Sequence, residues 1–299
     1  MAGTADEPSV GSARVLHLGG VPDADLRPRS GRSAKALLLT MLGEFVLPRG
    51  GSVWTSTIID GLAVLGIGER NARQAAARLS DQGLIDSERI GRAARWSLTP
   101  EGRRLLEAGT RRIYELGARA GGWDGHWLVV LASVPEDERA KRHRLRSRLG
   151  FLGFGFLGPG IAVSPHLDRE PAADDVLRGL ELEDTAVVFV ARTGTFVPDE
   201  TIIARAWDLD GLAQDYRDFV DQFERLRPES AKDAFGAVVS LVHEWRRFPF
   251  VDPEIPAELL PADWPGHEAK STFDRLRSRW APSANSWYAT AAEESAPTG

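Results

Sequence analysis

Ala34, Leu37, Leu38, Met41, Leu42 and Phe45 recur at spacings of three and four, which predicts a helix over residues 33–46. Pro48-Arg49-Gly50-Gly51 breaks it. Ile58, Ile59, Leu62 and Leu65 set a second helix, with Thr55 or Ser56 as its cap and Gly66 as its end. A third carries Ala72, Ala75, Ala76 and Leu79 on one face and Arg70, Asn71, Arg73, Gln74 and Arg78 on the other, and Asp81-Gln82-Gly83 breaks it. Two strand-like runs follow, turning at Gly91-Arg92. Thr99-Pro100-Glu101-Gly102 then opens a fourth helix, Thr99 as cap and Pro100 in the first helical position, running towards Leu116. Helix, loop, helix, short turn, helix and hairpin is the order of a winged helix-turn-helix.

Beyond Gly121-Gly122 the pattern changes. Trp127–Leu131 is a nearly continuous apolar run, read as a strand buried on both faces. A helix is expected from Pro135 to Gly150, a strand at Ile161–Val163, a helix from Asp174 to Leu180, and a strand at Thr185–Val190. The glycine-rich stretch Gly150–Gly160 lacks the Lys-Ser of a phosphate-binding loop and reads as a bulged strand or hairpin. This alternation predicts a small ferredoxin-like α+β domain. After Trp207 the chain is helical: amphipathic segments at Leu209–Leu226 and Ala231–Phe248, a Pro-rich link, and a last helix at about Gly266–Trp280. The expected organisation is an α+β multidomain chain, with a tail over 1–32, a winged helix-turn-helix over 33–120, and a ferredoxin-like dimerisation domain over 121–206. A helical effector or dimer domain follows over 207–289, and a second tail over 290–299.

Charge sharpens this picture. The net charge is −6, yet residues 27–119 hold 16 Lys/Arg against 9 Asp/Glu, whereas residues 120–299 hold 20 against 30. A basic module on an acidic body is the footprint of a DNA-binding head on a sensing domain. Arg27, Arg29 and Arg32 end the first tail, either as solvated residues or as an arm reaching a phosphate backbone. There is no cysteine, which excludes disulfides, thiolate metal sites and cysteine nucleophiles. Neither a long apolar span nor a signal pattern is present, so the chain is expected in the cytoplasm, without a membrane partner.

Candidate chemistry concentrates in the basic head. Arginine reads guanine and Asn or Gln reads adenine in the major groove, which makes the polar face of the third helix a base-reading surface for a double-stranded operator. Arg89, Arg92 and Arg95 surround the hairpin turn and suit phosphate or minor-groove contacts. Thr55 and Ser56 either donate to a phosphate or simply cap their helix. The run from Arg139 to Arg148 is a solvated helix face, a subunit contact, an extra DNA contact or a phosphate-binding surface; Arg142 and Arg146 are its effector candidates. Trp207 and Trp245 are candidates for lining an aromatic effector pocket. No nucleophile elbow occurs, and His166 with Asp168 is the one close metal-capable pair, explained as well by a surface loop. No enzyme activity, cofactor or metal is expected.

The segments SAKALLLTMLGEF, ARQAAARLSDQGLI, GRAARWSLTPEGR and WDGHWLVVLASVPEDERAKRHRLRSRLGFLGFGFLGPGIAVSP, in this order, resemble the PaaX family of bacterial repressors, over about Ser33 to Trp280. The resemblance implies a winged helix, a ferredoxin-like domain and a helical C-terminal domain. It also implies a homodimer that represses a catabolic operon, often for phenylacetate, and is released by an aryl-CoA thioester such as phenylacetyl-CoA. The central domain also resembles the small CRISPR adaptation nuclease, which leaves a metal-dependent nuclease as the alternative function. That enzyme needs a carboxylate near the end of its first strand; here the strand ends Leu131-Ala132-Ser133-Val134, with Glu136 and Asp137 only after Pro135.

Overall fold

The computed structural model describes residues 33–117 and 122–296, so Arg27, Arg29 and Arg32 lie outside the described residues. Helix α1 (Ala34–Met41) starts where the Ser33 hydroxyl accepts from the Ala36 amide at 3.2 Å. It continues as a π-helical turn, Leu42–Val46, and a 3-10 turn, Leu47–Arg49. Strand β1 (Ser52–Trp54), helix α2 (Thr55–Val64), helix α3 (Glu69–Asp81), strands β2 (Ile85–Ile90) and β3 (Ala93–Leu98) and helix α4 (Pro100–Glu115) follow. The strands form an antiparallel sheet in the order β1-β3-β2. Three residues of β1 are too few to carry a periodic signal, so pattern reading passes over it. The join into α4 is tight: Thr99 Oγ1 accepts from the Gly102 amide at 2.9 Å and donates to the Gly83 carbonyl at 2.7 Å. A Cβ at Gly102 would lie 1.9 Å from the Leu84 carbonyl oxygen, so only glycine fits there.

The middle of the chain runs β4 (Trp127–Ala132), α5 (Arg139–Phe151), β5 (Gly155–Gly158), β6 (Ile161–Ser164), α6 (Glu170–Arg178) and β7 (Ala186–Ala191). The sheet is antiparallel with order β5-β6-β4-β7. The glycine-rich stretch is a strand with a register irregularity between Phe156 and Gly158. Helix α5 begins four residues later than expected, because residues 136–137 form a turn closed by the Glu138 amide on the Pro135 carbonyl. Strand β4 is not buried throughout either: Leu131 is exposed on the face opposite α5 and α6. That side is covered only towards Trp127, by Ile203, Ile255 and Leu259.

Helix α7 (Asp199–Ala206), which no sequence pattern announced, precedes α8 (Leu209–Glu224), α9 (Ala231–Trp245) and α10 (Gly266–Glu294). The last helix runs 29 residues, through Pro282 and well past the expected stop at Trp280. Proline removes one helical hydrogen bond, about 3 kcal/mol in an isolated interior. Here the turns after it are held by buried Ala284, Tyr288 and Ala291, with Tyr288 stacked 5.3 Å from Phe45, and tertiary packing overrides the local signal.

Helix α1 explains how the first and last described helices come to share a core. Leu37, Leu38, Met41 and Leu42 are all buried, an arc too wide for α2 and α3 alone to cover. Helices α9 and α10 cover the remainder, so one continuous core joins Leu37, Leu62 and Leu79 to Phe235, Phe273 and Tyr288. Phe235 touches Phe45, Tyr288 and Trp287 at centroid distances of 4.8, 6.4 and 4.4 Å. A second core lies between the central sheet and helices α5 and α6.

Candidate nucleic-acid interface

Helix α3 separates its two faces as its sequence requires. Ala72, Ala75, Ala76 and Leu79 are buried against α1 and α2, and the small alanines let the helix seat closely. Arg70, Asn71, Arg73, Gln74, Ala77 and Arg78 are all exposed on the other side. Arg73 is held by its neighbour, with Nε and an Nη 2.9 and 2.8 Å from Glu69 Oε1 one turn earlier. Such an exposed pair contributes little stability and is readily exchanged for a base edge or phosphate.

The hairpin stands beside it. Ile90 pairs with Ala93, leaving Gly91-Arg92 as a two-residue turn in which Gly91 has φ +62°, a conformation that suits the twist of the strands. Arg89, Arg92 and Arg95 are exposed. Arg89 Nε reaches the Gly91 carbonyl at 3.3 Å, whereas Arg92 pairs with no described carboxylate. Arg95 is pre-set: it donates to Ser52 Oγ at 2.6 Å and lies 5.9 Å from the Trp54 ring. Sequence reading missed Ser52 and Trp54 because their role depends on β1 lying against β3; the adjacent Val53-Trp54 pair of β-favouring residues was the only signal.

Thr55 and Ser56 part company. Thr55 begins α2 but does not cap it; Trp54 occupies the cap position with no side-chain hydrogen bond. The Thr55 hydroxyl donates to the Ala94 carbonyl and accepts from the Trp96 indole, both at 3.0 Å, which locks α2 to β3. Both its roles are used inside the fold, while Ser56 is exposed at the helix start.

The four effector candidates do not converge. Trp245 lines a cavity of about 800 Å³ bounded by the end of α4, the His166–Asp168 segment and the Asp252–Glu258 segment. Its indole donates to the Ile113 carbonyl in α4 at 3.1 Å. Trp207 instead sits in the small core below β4, 6.2 Å from Trp127, and donates to the Gly153 carbonyl. Arg142 and Arg146 border a separate groove of about 880 Å³ beside β4 and β6, with Arg146 4.2 Å above the Phe156 ring. At the first cavity, sequence reading passed over Tyr216 and Asp252, whose hydroxyl and carboxylate are 2.5 Å apart. Burial pushes the Asp252 carboxyl above its ordinary range, against the Tyr216 hydroxyl and the Glu254 amide, which favour its charge. Those two residues lie 36 positions apart, beyond any local pattern.

His166 spends Nε2 on the Glu254 carbonyl at 2.7 Å, and no group of three His, Cys, Asp or Glu among the described residues is placed to hold a metal. No described helix is long and apolar enough to cross a membrane.

Three family models match along the chain: PaaX-like protein at residues 33–102, PaaX protein central Cas2-like domain at 120–203, and PaaX-like protein C-terminal domain at 207–290. Transcriptional repressor PaaX of Escherichia coli (strain K12) is 31% identical over 263 residues, spanning 84% of this chain and 82% of its own length. The chain belongs to the PaaX family. A solved structure, uncharacterized protein Rv0674 from Mycobacterium tuberculosis, matches with a TM-score of 0.60 at 23% identity, covering 84% of this chain and 97% of that one, and shares the fold. The family is regulatory rather than enzymatic, as the sequence led one to expect, and the nuclease alternative finds no support among these relatives.

Proposed function

We propose that this PaaX-family chain is a DNA-binding transcriptional repressor whose first four helices and β1-β3-β2 sheet act as a winged helix-turn-helix. The observation that carries the reading is the joint exposure of Arg70, Asn71, Arg73, Gln74 and Arg78 on α3 beside the hairpin arginines, above a fully buried opposite face. Helix α3 enters the major groove, where Arg70, Asn71, Arg73 and Gln74 meet base edges. Arg89, Arg92 and Arg95 take phosphates or the minor groove, and Ser56, exposed where Thr55 is engaged within the fold, is the α2 hydroxyl that donates to a phosphate. The relative's name, repressor, supports the direction of control.

The β-α-β-β-α-β succession and the β5-β6-β4-β7 order support a ferredoxin-like central domain, which joins two copies so that two heads meet successive half-sites. A small effector releases the DNA. The cavity beside Trp245 is its best site, because the Trp245 indole is bonded to α4 and its ring lies in the core shared with α1, so a shift there reaches the reading head. The first effectors to test are aryl-CoA thioesters, phenylacetyl-CoA among them. A footprint on the protein's own upstream region, repeated with each thioester, tests the whole reading. Arg73→Ala or Gln74→Ala lowers preference for the operator over scrambled duplex; unchanged preference in both variants overturns the assignment of the face.

A further inference from the structure

Two strands border the central sheet, and they are finished differently. Strand β5 is short, with a register irregularity, and the end of α7 packs against it so closely that a Cβ at Gly155 would run into Ala206 and Trp207. Strand β7 pairs with β4 along all six of its residues, and no described strand pairs with its other edge. It reads AVVFVA, with no proline, bulge or charge, which are the devices that usually keep such an edge from pairing. Its side chains are open too: Val187 is 60% exposed, Phe189 40% and Val190 48%, next to Leu131 on β4 at 39%. An apolar strand edge of this length is a pairing site awaiting a strand.

The strand is also complementary to itself. Asp184 stands two residues before it, in the turn closed by the Thr185 amide on the Leu182 carbonyl, and Arg192 just after it; both are exposed, and neither has an ion pair among the described residues. A twofold axis normal to the sheet keeps each face on its own side. Residues directly opposite must therefore have numbers of the same parity. Among the registers that satisfy this, pairing centred on Val188 alone brings Asp184 of each copy opposite Arg192 of the other. The same register sets Val187 opposite Phe189 twice on the open face, an aromatic and β-branched pair of the favourable kind. On the helix face it sets Ala186 opposite Val190.

We propose that β7 pairs antiparallel with β7 of a second copy, in the register centred on Val188, to make one continuous eight-stranded sheet closed at both ends by Asp184–Arg192 pairs. This rests on the dimeric reading above and names the surface that carries it.

The test is the association constant of the full chain by analytical ultracentrifugation, for the unaltered protein, Asp184→Arg, Arg192→Asp and the double exchange. Each single reversal turns both symmetric attractions into repulsions and is expected to weaken the dimer about tenfold to thirtyfold. The double exchange restores opposite charges and is expected to recover association. Both sites are exposed, and circular dichroism and a thermal melt check that the variants fold. A dimer indifferent to the single reversals, or one that the double exchange fails to rescue, overturns the β7 pairing while leaving the dimer itself standing. An unaltered chain that stays monomeric at high concentration and on its operator overturns the dimer and this surface together.

Discussion

Replacing Arg92 by alanine isolates the electrostatic part of the proposed DNA contact. Arg92 is the second residue of the hairpin turn, exposed and without a described carboxylate partner, while the positive φ that the turn needs belongs to Gly91. The variant therefore keeps the turn and loses one guanidinium per head. Each phosphate neutralised on duplex DNA adds about 0.9 to the slope of log affinity against log salt. Two heads on one operator then lower that slope by about 1.8 when both arginines are removed. Across a fourfold rise in salt, from about 50 to 200 mM, the unaltered protein should lose about twelvefold more affinity than the variant. A single head on DNA would give a difference of only about 3.5-fold. Fluorescence anisotropy on operator and scrambled duplexes, over that salt series, measures both slopes. The loss should be nearly equal on the two duplexes, because a phosphate contact carries no base information. An unchanged slope, or a loss confined to the operator, would refute the assignment of Arg92 to the backbone.

Other consequences are open to simple measurement. Phe235→Ala removes a fully buried ring from the core shared by the first and last described helices and should cost about 3–5 kcal/mol, read as one cooperative shift in urea denaturation; two separate transitions, with only one displaced, would contradict a continuous core. Gly102→Ala drives a methyl group into the Leu84 carbonyl and should lower the melting temperature, corresponding to about 1–3 kcal/mol; an unchanged midpoint would show that α4 can slide at no cost. The raised Asp252 carboxyl stabilises the fold at low pH, and that contribution is lost as pH rises from the ordinary carboxylate range through its folded value. Asp252→Asn should therefore gain stability relative to the unaltered chain as pH rises above the ordinary carboxylate range; parallel pH profiles would contradict a buried, reluctant acid.

The helices of the first segment were legible because each announces itself within a few residues. Ala72, Ala75, Ala76 and Leu79 fall on one stripe, Ser33 and Thr99 stand at helix starts, and Gly91 marks the hairpin turn. The alternation of strands and helices from Trp127 to Ala191 was legible for the same reason. Other features were not. Strand β1 is three residues long, and Thr55 looked like a cap because nothing local reveals that Ala94 and Trp96 claim its hydroxyl. Pro282 reads as a stop until Phe45 and Phe235 are seen against Tyr288. Trp207 and Trp245 are alike as residues, yet one fills a small core below β4 and the other walls a cavity.

By itself the sequence determined most of the element types, β1 and α7 excepted, together with the polar stripe on α3 and the basic cast of the first segment, since these follow from spacing and charge within a helical turn or a strand. Tertiary structure decided everything that depends on which distant groups meet. It brought α9 and α10 onto α1, spent the Thr55 hydroxyl, and set Asp252 against Tyr216. It also placed β7 at an edge of its sheet. Periodicity reports that a side chain seeks burial; only the assembled chain supplies the partner, because a surface that buries it can lie more than two hundred residues away, as Tyr288 does from Phe45.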